Sequence, residues 1–179
     1  MIINVRENLI MRSLSELDVS AVYKVVDHNR DHIREWLPWV DSTDSSDVTA
    51  GVIEVWKKEL EEKSDVVLGI FENDEYIGNI GLHSLKRPNR SGMIGYWLAK
   101  KSQGRGIITD CVRELINYGF SNLDLNRIYI HCSFDNTKSR AIPERLGFIQ
   151  EGILQDGEYL YGVFHDLVVY GMVKRNWHV

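Results

Sequence analysis

The amino-acid sequence predicts an α+β fold in which about four helices flank a mixed, mostly antiparallel sheet. Apolar runs of strand length alternate with short turn sequences, which is typical of hairpins. Apolar residues recur at helical spacing in other segments, and two of the predicted helices lie between strands that they can join by crossovers. No linker or repeat divides the 179 residues, so we expect a single domain over residues 1–179.

In the N-terminal half the pattern predicts a strand, two helices and a hairpin. Ser15 is followed by acidic residues and a stripe of valines, as at the start of a helix. Pro38 disfavours helical geometry at the residue before it and so separates the two helices. The predicted elements are a strand at 8–14, helices from Ser15 and over 47–63, and strands at 66–71 and 76–83. The second helix is expected to bury Val48, Val52, Val55, Trp56 and Leu60.

In the C-terminal half, helices and strands alternate. Gly147 is expected to end a short helix, since glycine tolerates the left-handed conformation that a helix cap requires. The predicted elements are a strand at 93–99, a helix from Gly104, a strand at 126–134, a helix at 136–146, a strand at 148–154, a turn at 155–157 and a last strand through Tyr170.

Charge and cysteine content argue against several classes of function. The chain has 21 Lys plus Arg against 26 Asp plus Glu, a formal charge of −5, and no basic cluster that would bind nucleic acid or a membrane surface. Cys111 and Cys132 lie in apolar segments without metal-ligand spacing, so we expect no disulfide framework, no metal site and a reducing compartment, the cytoplasm. With no signal peptide and no apolar run of about 18 residues, a soluble protein is expected.

The turn at the start of the helix predicted from Gly104 has the features of an anion site. Gly104 and Gly106 allow close approach to the backbone, the helix start offers unpaired N–H groups, and Arg105 can add a positive charge. A tight turn without a ligand would use the same glycines. No lysine follows Gly106 as in a Walker loop, and Thr109 stands where a dinucleotide fingerprint needs its third glycine.

A second segment downstream gives the turn its context. Gln103 and Gly106 match the first and fourth positions of a Gln/Arg-x-x-Gly-x-Gly/Ala motif, in which Ile108 replaces the last small residue. A strand, Asn136, a short helix and Gly147-Phe148 follow in order. From residue 10 to 173 the chain resembles the GNAT superfamily of N-acetyltransferases. The segments 36–39, 94–98 and 151–154 are similar to its RimL-type branch, which acetylates ribosomal proteins.

This resemblance implies a GNAT-like fold with splayed central strands and acetyl-CoA as the acetyl donor. It implies that the strand at 97–99 binds the pantetheine arm, the turn binds the pyrophosphate, and Asn136 holds the pantetheine chain. Asn136 could instead only cap its helix. The cofactor-binding residues so implied are Trp97, Leu98, Ala99, Gln103, Gly104, Arg105, Gly106, Ile107, Ile108, Asn136 and Ser139.

The resemblance also implies two catalytic residues. Many relatives carry a tyrosine acid seven residues after the motif Asn, but this chain has Pro143 there. RimL-type members offer a serine at Ser139, which would donate to the departing thiolate, unless its hydroxyl bonds within its own helix. They are thought to use a glutamate base before the last strand, which maps to Glu158, otherwise a solvated turn carboxylate. His165 and Asp166 are reserve candidates.

The acceptor implied by the resemblance is a primary amine, foremost the α-amino group of a protein such as a ribosomal protein. Trp36, Trp39 and His83 are the expected substrate-binding residues, although the tryptophans could be core and His83 merely hydrogen-bonded. A small amine such as a polyamine or aminoglycoside is the alternative acceptor. A non-catalytic acyl-CoA sensor is the alternative of another class, and a homodimer is the expected assembly.

Overall fold

The fold is built on one eight-stranded sheet. A computed structural model describes residues 1–178, with the backbone alone described at Arg87. The strands are β1 (Ile2–Arg6), β2 (Leu9–Arg12), β3 (Val66–Glu72), β4 (Glu75–Lys86), β5 (Ser91–Leu98), β6 (Arg127–Ser133), β7 (Ile149–Leu160) and β8 (Val163–Val173). They are arranged in the order β1-β2-β3-β4-β5-β6-β8-β7, so the last hairpin inserts β8 beside β6 and leaves β7 at the edge.

In residues 1–178, five α-helices cover the sheet, one more than expected. They are α1 (Val19–His28), α2 (Arg30–Arg34), α3 (Ser46–Glu62), α4 (Ile107–Ser121) and α5 (Thr137–Arg145). The additional helix is α2, a five-residue segment directly after α1. Across residues 1–178 we find no helix with the length and apolar character that a membrane crossing requires.

The sheet is mixed and mostly antiparallel, as predicted. The parallel pair is β5 with β6, and α4 makes the crossover between them. Their pairing is limited to Ser91–Met93 against Arg127–Tyr129, after which the two strands separate. The sheet is therefore split at its centre, toward the C-terminal ends of β5 and β6.

Two apolar clusters hold the helices on the sheet. The larger one joins α4, through residues such as Cys111 and Leu115, to the central strands. The smaller one packs α1, α2 and α3 through Val22, Ile33 and Ile53. Because the strands alternate their side chains between two faces, β2, β3, β4 and β5 contribute to both clusters. This packing fixes β5, whose free end borders the split.

The 155–157 turn and the position of Glu158 were predicted wrongly. β7 runs through these residues, which form an irregularity between the pairs Leu154↔Leu167 and Glu158↔His165. The reversal occurs instead at Tyr161 and Gly162, with φ of 50° and 89°. Glu158 is thus a strand residue opposite His165. The Gln-Asp-Gly composition of 155–157 suits a bulge as well as a turn, since either can contain the left-handed backbone that Asp156 adopts with a φ of 50°.

The buried face of α3 differs from the predicted one at Val48 and Val55, while Val52, Trp56 and Leu60 are half-buried. Val48 and Val55 are 38% and 54% exposed, whereas Thr49 and Ile53 are buried. The buried stripe is rotated by part of a turn, because Thr49 contributes to it although it is polar. Its hydroxyl donates to the Ser45 carbonyl at 3.1 Å, which removes the cost of burying it.

Candidate active site

The split between β5 and β6 leaves backbone groups of β5 without partners. The Ala99 N–H donates to the Ile77 carbonyl at 2.8 Å, so the backbone groups of Ala99 face β4. Backbone direction alternates along a strand, and those of Trp97 therefore face β4 too, while those of Leu98 face the split. Of the three positions expected to bind pantetheine, Leu98 is the one that offers its backbone there.

The glycine turn after β5 has the backbone geometry of an anion site. Gly104 and Gly106 are both left-handed, with φ of 77° and 75°, and Gly106 is the N-cap of α4. The backbone N–H groups from Gly104 to Thr109 make no hydrogen bond to any described residue; the first bonded one is that of Asp110, which donates to the Gly106 carbonyl. Six successive donors at the positive end of a helix suit a pyrophosphate.

Space around the turn is open. A Cβ placed on Gly104 or Gly106 would meet no atom within 4 Å, so nothing in the protein itself requires these residues to lack side chains except their positive φ. Ile107 and Ile108 point the other way and are buried in the larger apolar cluster. The backbone donors of the turn are therefore fixed by packing while their outer side remains accessible.

Arg105 does not offer a free charge to this site. Its guanidinium makes two hydrogen bonds to the Glu72 carboxylate, at 3.0 and 2.7 Å. The positive charge that the sequence suggested is paired with β3. Arg145, which was not predicted, contacts the start of α4: it donates to the Thr109 hydroxyl at 2.9 Å from the last turn of α5.

The turn is held in place from α1 and α2. The Gln103 amide nitrogen lies 2.8 Å from His32 Nε2, and the Lys100 N–H donates to Asn29 Oδ1 at 2.9 Å. Gln103, predicted as a cofactor-binding residue, is thus also an anchor for the turn. The short α2 helix, missed in the sequence, supplies His32 for this contact.

Asn136 caps α5. Its Oδ1 accepts the Ser139 N–H at 3.0 Å, as in a helix N-cap. This arrangement is the ligand-free alternative that the sequence left open, but it also fixes the first turn of α5 at the C-terminal end of β6. Asn136 and Ser139 are therefore brought to the mouth of the split together.

Ser139 lies in a compact group of side chains from three elements. Its Oγ is 3.1 Å from the Tyr96 hydroxyl of β5 and 3.3 Å from the Cys132 sulfur of β6. Tyr96 also donates to the Ser139 carbonyl at 3.1 Å. Burial raises the pKa of both Tyr96 and Cys132, so that both keep their protons at neutral pH. Cys132 remains a core thiol, as predicted, and Tyr96 is a member of this group that the sequence did not reveal.

Glu158 lies one strand away from this group. β8 pairs Leu167 with Ser133 at the end of β6, and it pairs His165 with Glu158 of β7. The Glu158 carboxylate accepts no hydrogen bond from a described residue. Burial raises its pKa above the ordinary value, and the neighbouring His165 acts in the opposite direction. A carboxylate of this kind is a stronger base than a fully solvated one.

Trp39, one of the expected acceptor residues, packs on Trp97, which points to the face of β5 opposite to Tyr96. The rings of Trp39 and Trp97 are 6.1 Å apart between centroids, and Trp97 also packs edge-on against Tyr76 at 6.2 Å. Trp36, which precedes Trp39 in the sequence, is half-buried. His83 Nδ1 lies 3.2 Å from the Asp65 carboxylate, so this side chain is hydrogen-bonded within the fold.

Comparison with known proteins agrees with the split sheet and the turn of unpaired N–H groups. A family profile for the acetyltransferase (GNAT) domain matches residues 8–149. The chain belongs to this family. The “Putative ribosomal N-acetyltransferase YdaF” of Bacillus subtilis (strain 168) is 37% identical over 174 residues, which cover 97% of this chain and 95% of that protein.

Solved structures of GNAT acetyltransferases match over nearly the whole length. RimL, a ribosomal L7/L12 alpha-N-protein acetyltransferase in complex with coenzyme A, has a TM-score of 0.93 at 28% identity, covering 97% of this chain and 98% of that chain. Microcin C7 self immunity acetyltransferase MccE, in complex with acetyl-CoA and AMP, has a TM-score of 0.91 at 28% identity, covering 96% and 95%. The GNAT-like fold is confirmed.

The protein is accordingly a GNAT N-acetyltransferase that uses acetyl-CoA as its acetyl donor. The residues present fit this donor: unpaired N–H groups suit its phosphates, and the open backbone of Leu98 suits an extended amide chain. Among residues 1–178, with the Arg87 side chain set aside, no cluster of side chains could hold a metal ion.

Proposed function

We propose that this acetyltransferase modifies the α-amino group of a protein N-terminus, with a ribosomal protein as the first candidate. The observation that carries this proposal is the near full-length similarity to YdaF and to RimL, whose names specify ribosomal acetylation. The chain's own residues support the proposal, because an α-amino group needs only a modest base and Glu158 can provide one.

An amine must lose its proton before it can attack a thioester. The pKa of an α-amino group is about 7.7–8.0, against about 10.4 for a lysine side chain, so an N-terminus is deprotonated far more readily at neutral pH. Glu158 is the proposed base, because burial raises the pKa of its carboxyl. It takes the amine proton directly or through a water molecule.

Binding of acetyl-CoA is proposed to use the backbone more than side chains. The N–H groups of Gly104 to Ile108 bind the pyrophosphate, and Leu98 pairs with the pantetheine amides in the split. Asn136 supports this arrangement by holding the first turn of α5. Trp97 and Ala99 contribute through packing, since their backbone groups face β4.

Acetyl-CoA supplies an activated carbonyl carbon whose leaving group is a thiolate. Ser139 is proposed to donate a hydrogen bond where this negative charge develops, because its hydroxyl lies at the mouth of the split beside Tyr96 and Cys132. Such a donor stabilises the charge without having to transfer its proton. Pro143, which replaces the tyrosine of many relatives, cannot do this.

The acceptor proposal is tested with three kinds of amine. Purified protein and saturating acetyl-CoA are incubated with peptides carrying free ribosomal-protein N-termini, with the same peptides blocked at the N-terminus but containing lysine, and with spermidine and aminoglycosides. We expect acetylation of the free N-termini alone. Turnover of the small amines alone would refute the acceptor, and binding of acetyl-CoA without release of CoA on any amine would identify a sensor instead.

We further propose a homodimer formed through the β7–β8 hairpin. β7 is an edge strand, and the hairpin exposes Ile153, Leu154, Tyr159 and Phe164 by 44%, 47%, 61% and 60%. Apolar side chains exposed together in this way mark protein interfaces. Light scattering after size exclusion should give twice the chain mass of 20.7 kDa. A monomer at micromolar concentration would refute the proposal.

A reducing compartment is proposed as the working environment, that is, the cytoplasm. Cys111 and Cys132 are both free and buried. Free, unpaired thiols are the usual state of cysteines in a reducing compartment. Fractionation of cells with an antibody to the protein would test this proposal, and recovery with the membrane fraction would refute it.

A further inference from the structure

The position of Pro143 leaves a gap in the hydrogen bonds of α5. In a helix the carbonyl of residue i accepts from the N–H of residue i+4, which for Ser139 is residue 143. Proline has no N–H, and its ring crowds the carbonyl four residues earlier. The Ser139 carbonyl is therefore deprived of its ordinary helical partner.

Tyr96 fills this gap from across the split. Its hydroxyl donates to the Ser139 carbonyl at 3.1 Å, and the same hydroxyl oxygen lies 3.1 Å from Ser139 Oγ. A phenol has one hydrogen to donate and lone pairs to accept with. If the hydrogen goes to the carbonyl, the phenol oxygen is left as an acceptor for the Ser139 hydroxyl.

We propose that Tyr96 is a positioning residue: its hydroxyl hydrogen replaces the helical N–H missing at Pro143, and its oxygen accepts from the Ser139 hydroxyl and so holds it in its working orientation. The inference rests on the proposed role of Ser139 as the donor to the departing sulfur. It links the departure from the family motif at Pro143 to a compensating contact from β5.

The proposal gives the three-residue group a direction. Cys132 donates to Ser139 Oγ, Ser139 donates to the Tyr96 oxygen, and Tyr96 donates to the Ser139 carbonyl. Each hydrogen then has one acceptor. A negatively charged sulfur is a stronger acceptor than a neutral phenol, so the Ser139 hydrogen turns to it when the charge develops. No proton has to leave Tyr96, whose pKa is raised by burial.

A stability cycle tests the contact without requiring turnover. Tyr96→Phe keeps the ring and removes the hydroxyl, and Pro143→Ala restores an N–H at position 143. We expect Tyr96→Phe to lower the Tm by roughly 2–4 °C in the wild-type background, the shift expected for one lost hydrogen bond in a chain of this size. In the Pro143→Ala background the same substitution should cost clearly less, because the Ser139 carbonyl then has its helical donor.

Tyr118→Phe is the matched control, because the Tyr118 hydroxyl makes no hydrogen bond to a described residue and lies away from the split, on α4. Tyr118→Phe should leave the Tm of each background unchanged. An equal loss for Tyr96→Phe with and without Pro143 would overturn the proposal.

Kinetics separate positioning from a merely structural role. Tyr96→Phe should lower kcat by about 5- to 10-fold with little change in the KM for acetyl-CoA, since one orienting hydrogen bond is lost. Pro143→Ala should rescue the Tm of Tyr96→Phe but not its kcat, because the phenol oxygen is still absent. Rescue of both would reduce Tyr96 to a structural role and refute the proposal. A wild-type protein that acetylates no amine would refute the proposed function, whereas the Tm cycle still decides this one.

Discussion

Gly106→Val is the sharpest test of the pyrophosphate site. Gly106 has a φ of 75°, which valine adopts only with strain, and a Cβ there would meet no protein atom within 4 Å beyond its chain neighbours. A valine therefore begins its side chain in the open space beside the N–H groups, where a phosphate would approach. Its effect should divide into a strain on the fold and a loss of affinity for CoA.

The strain can be separated by a matched control. Gly147 has a φ of 76°, also meets no atom within 4 Å, and lies at the other end of α5 from Asn136. Both substitutions to valine should lower the free energy of unfolding of the ligand-free protein by about 1–3 kcal/mol, the usual cost of such a backbone conformation. Thermal or urea unfolding measures this common part.

The second part belongs to Gly106 alone. A hydrogen bond to a charged group contributes about 1.5–3 kcal/mol, so each backbone N–H that valine keeps from the pyrophosphate weakens CoA binding by about 10- to 150-fold. Isothermal titration with CoA should show this loss for Gly106→Val and near wild-type affinity for Gly147→Val. Wild-type affinity in Gly106→Val, or an equal loss in both variants, would refute the assignment of the site.

Three further predictions concern catalysis and stability. Ser139→Ala should lower kcat, with the Kd for CoA nearly unchanged by titration; unchanged kcat would remove Ser139 from the mechanism. Glu158→Gln should shift the pH–rate profile upward, because without the base the amine must deprotonate by itself; an unshifted profile would exclude Glu158. Asp18→Asn should cost about 2 kcal/mol of unfolding free energy at pH 7, since Arg12 donates two hydrogen bonds to Asp18 at 2.9 and 2.6 Å. This contact lowers the Asp18 pKa from its ordinary 3.8, so its contribution to stability is present above that value and is lost as the pH falls through the lowered pKa. Urea unfolding should therefore show a smaller cost of Asp18→Asn at pH 3 than at pH 7. An equal cost at both pH values would contradict the prediction.

Elements governed by local chemistry were the predictable ones. The β3–β4 hairpin turns at Asn73 and Asp74, both left-handed, and such residues tolerate that backbone. Gly147 is left-handed at the end of α5, as predicted. In each case a few neighbouring residues decide the conformation, so composition is enough.

Elements that depend on distant partners were not predictable in the same way. Gln155–Gly157 look like a turn, but pairing of β7 with β8 continues on both sides and makes them a bulge. β1 was not predicted, since its residues alternate between exposed and half-buried and it gains its place by pairing with β2. Tertiary context decided both.

The candidate site divides along the same line. The turn at Gly104–Gly106 and the cap at Asn136 could be read from residue types at fixed spacing. Tyr96 could not, because its partner is 43 residues away in sequence. A signal was nevertheless present: Pro143 inside a predicted helix leaves one carbonyl in need of a donor from outside.

The short pairing of β5 with β6 has a mechanical consequence. These two strands pair through three residue pairs, all at one end. The sheet therefore consists of two halves, β1–β5 and β6–β8, that are joined at one end and open at the other. Tyr96 in the first half and Ser139 next to the second half form a hydrogen bond across the opening. A molecule that hydrogen-bonds to both edges would take the place of the missing rungs, so donor binding should stiffen the whole sheet and slow amide exchange far from the contact itself.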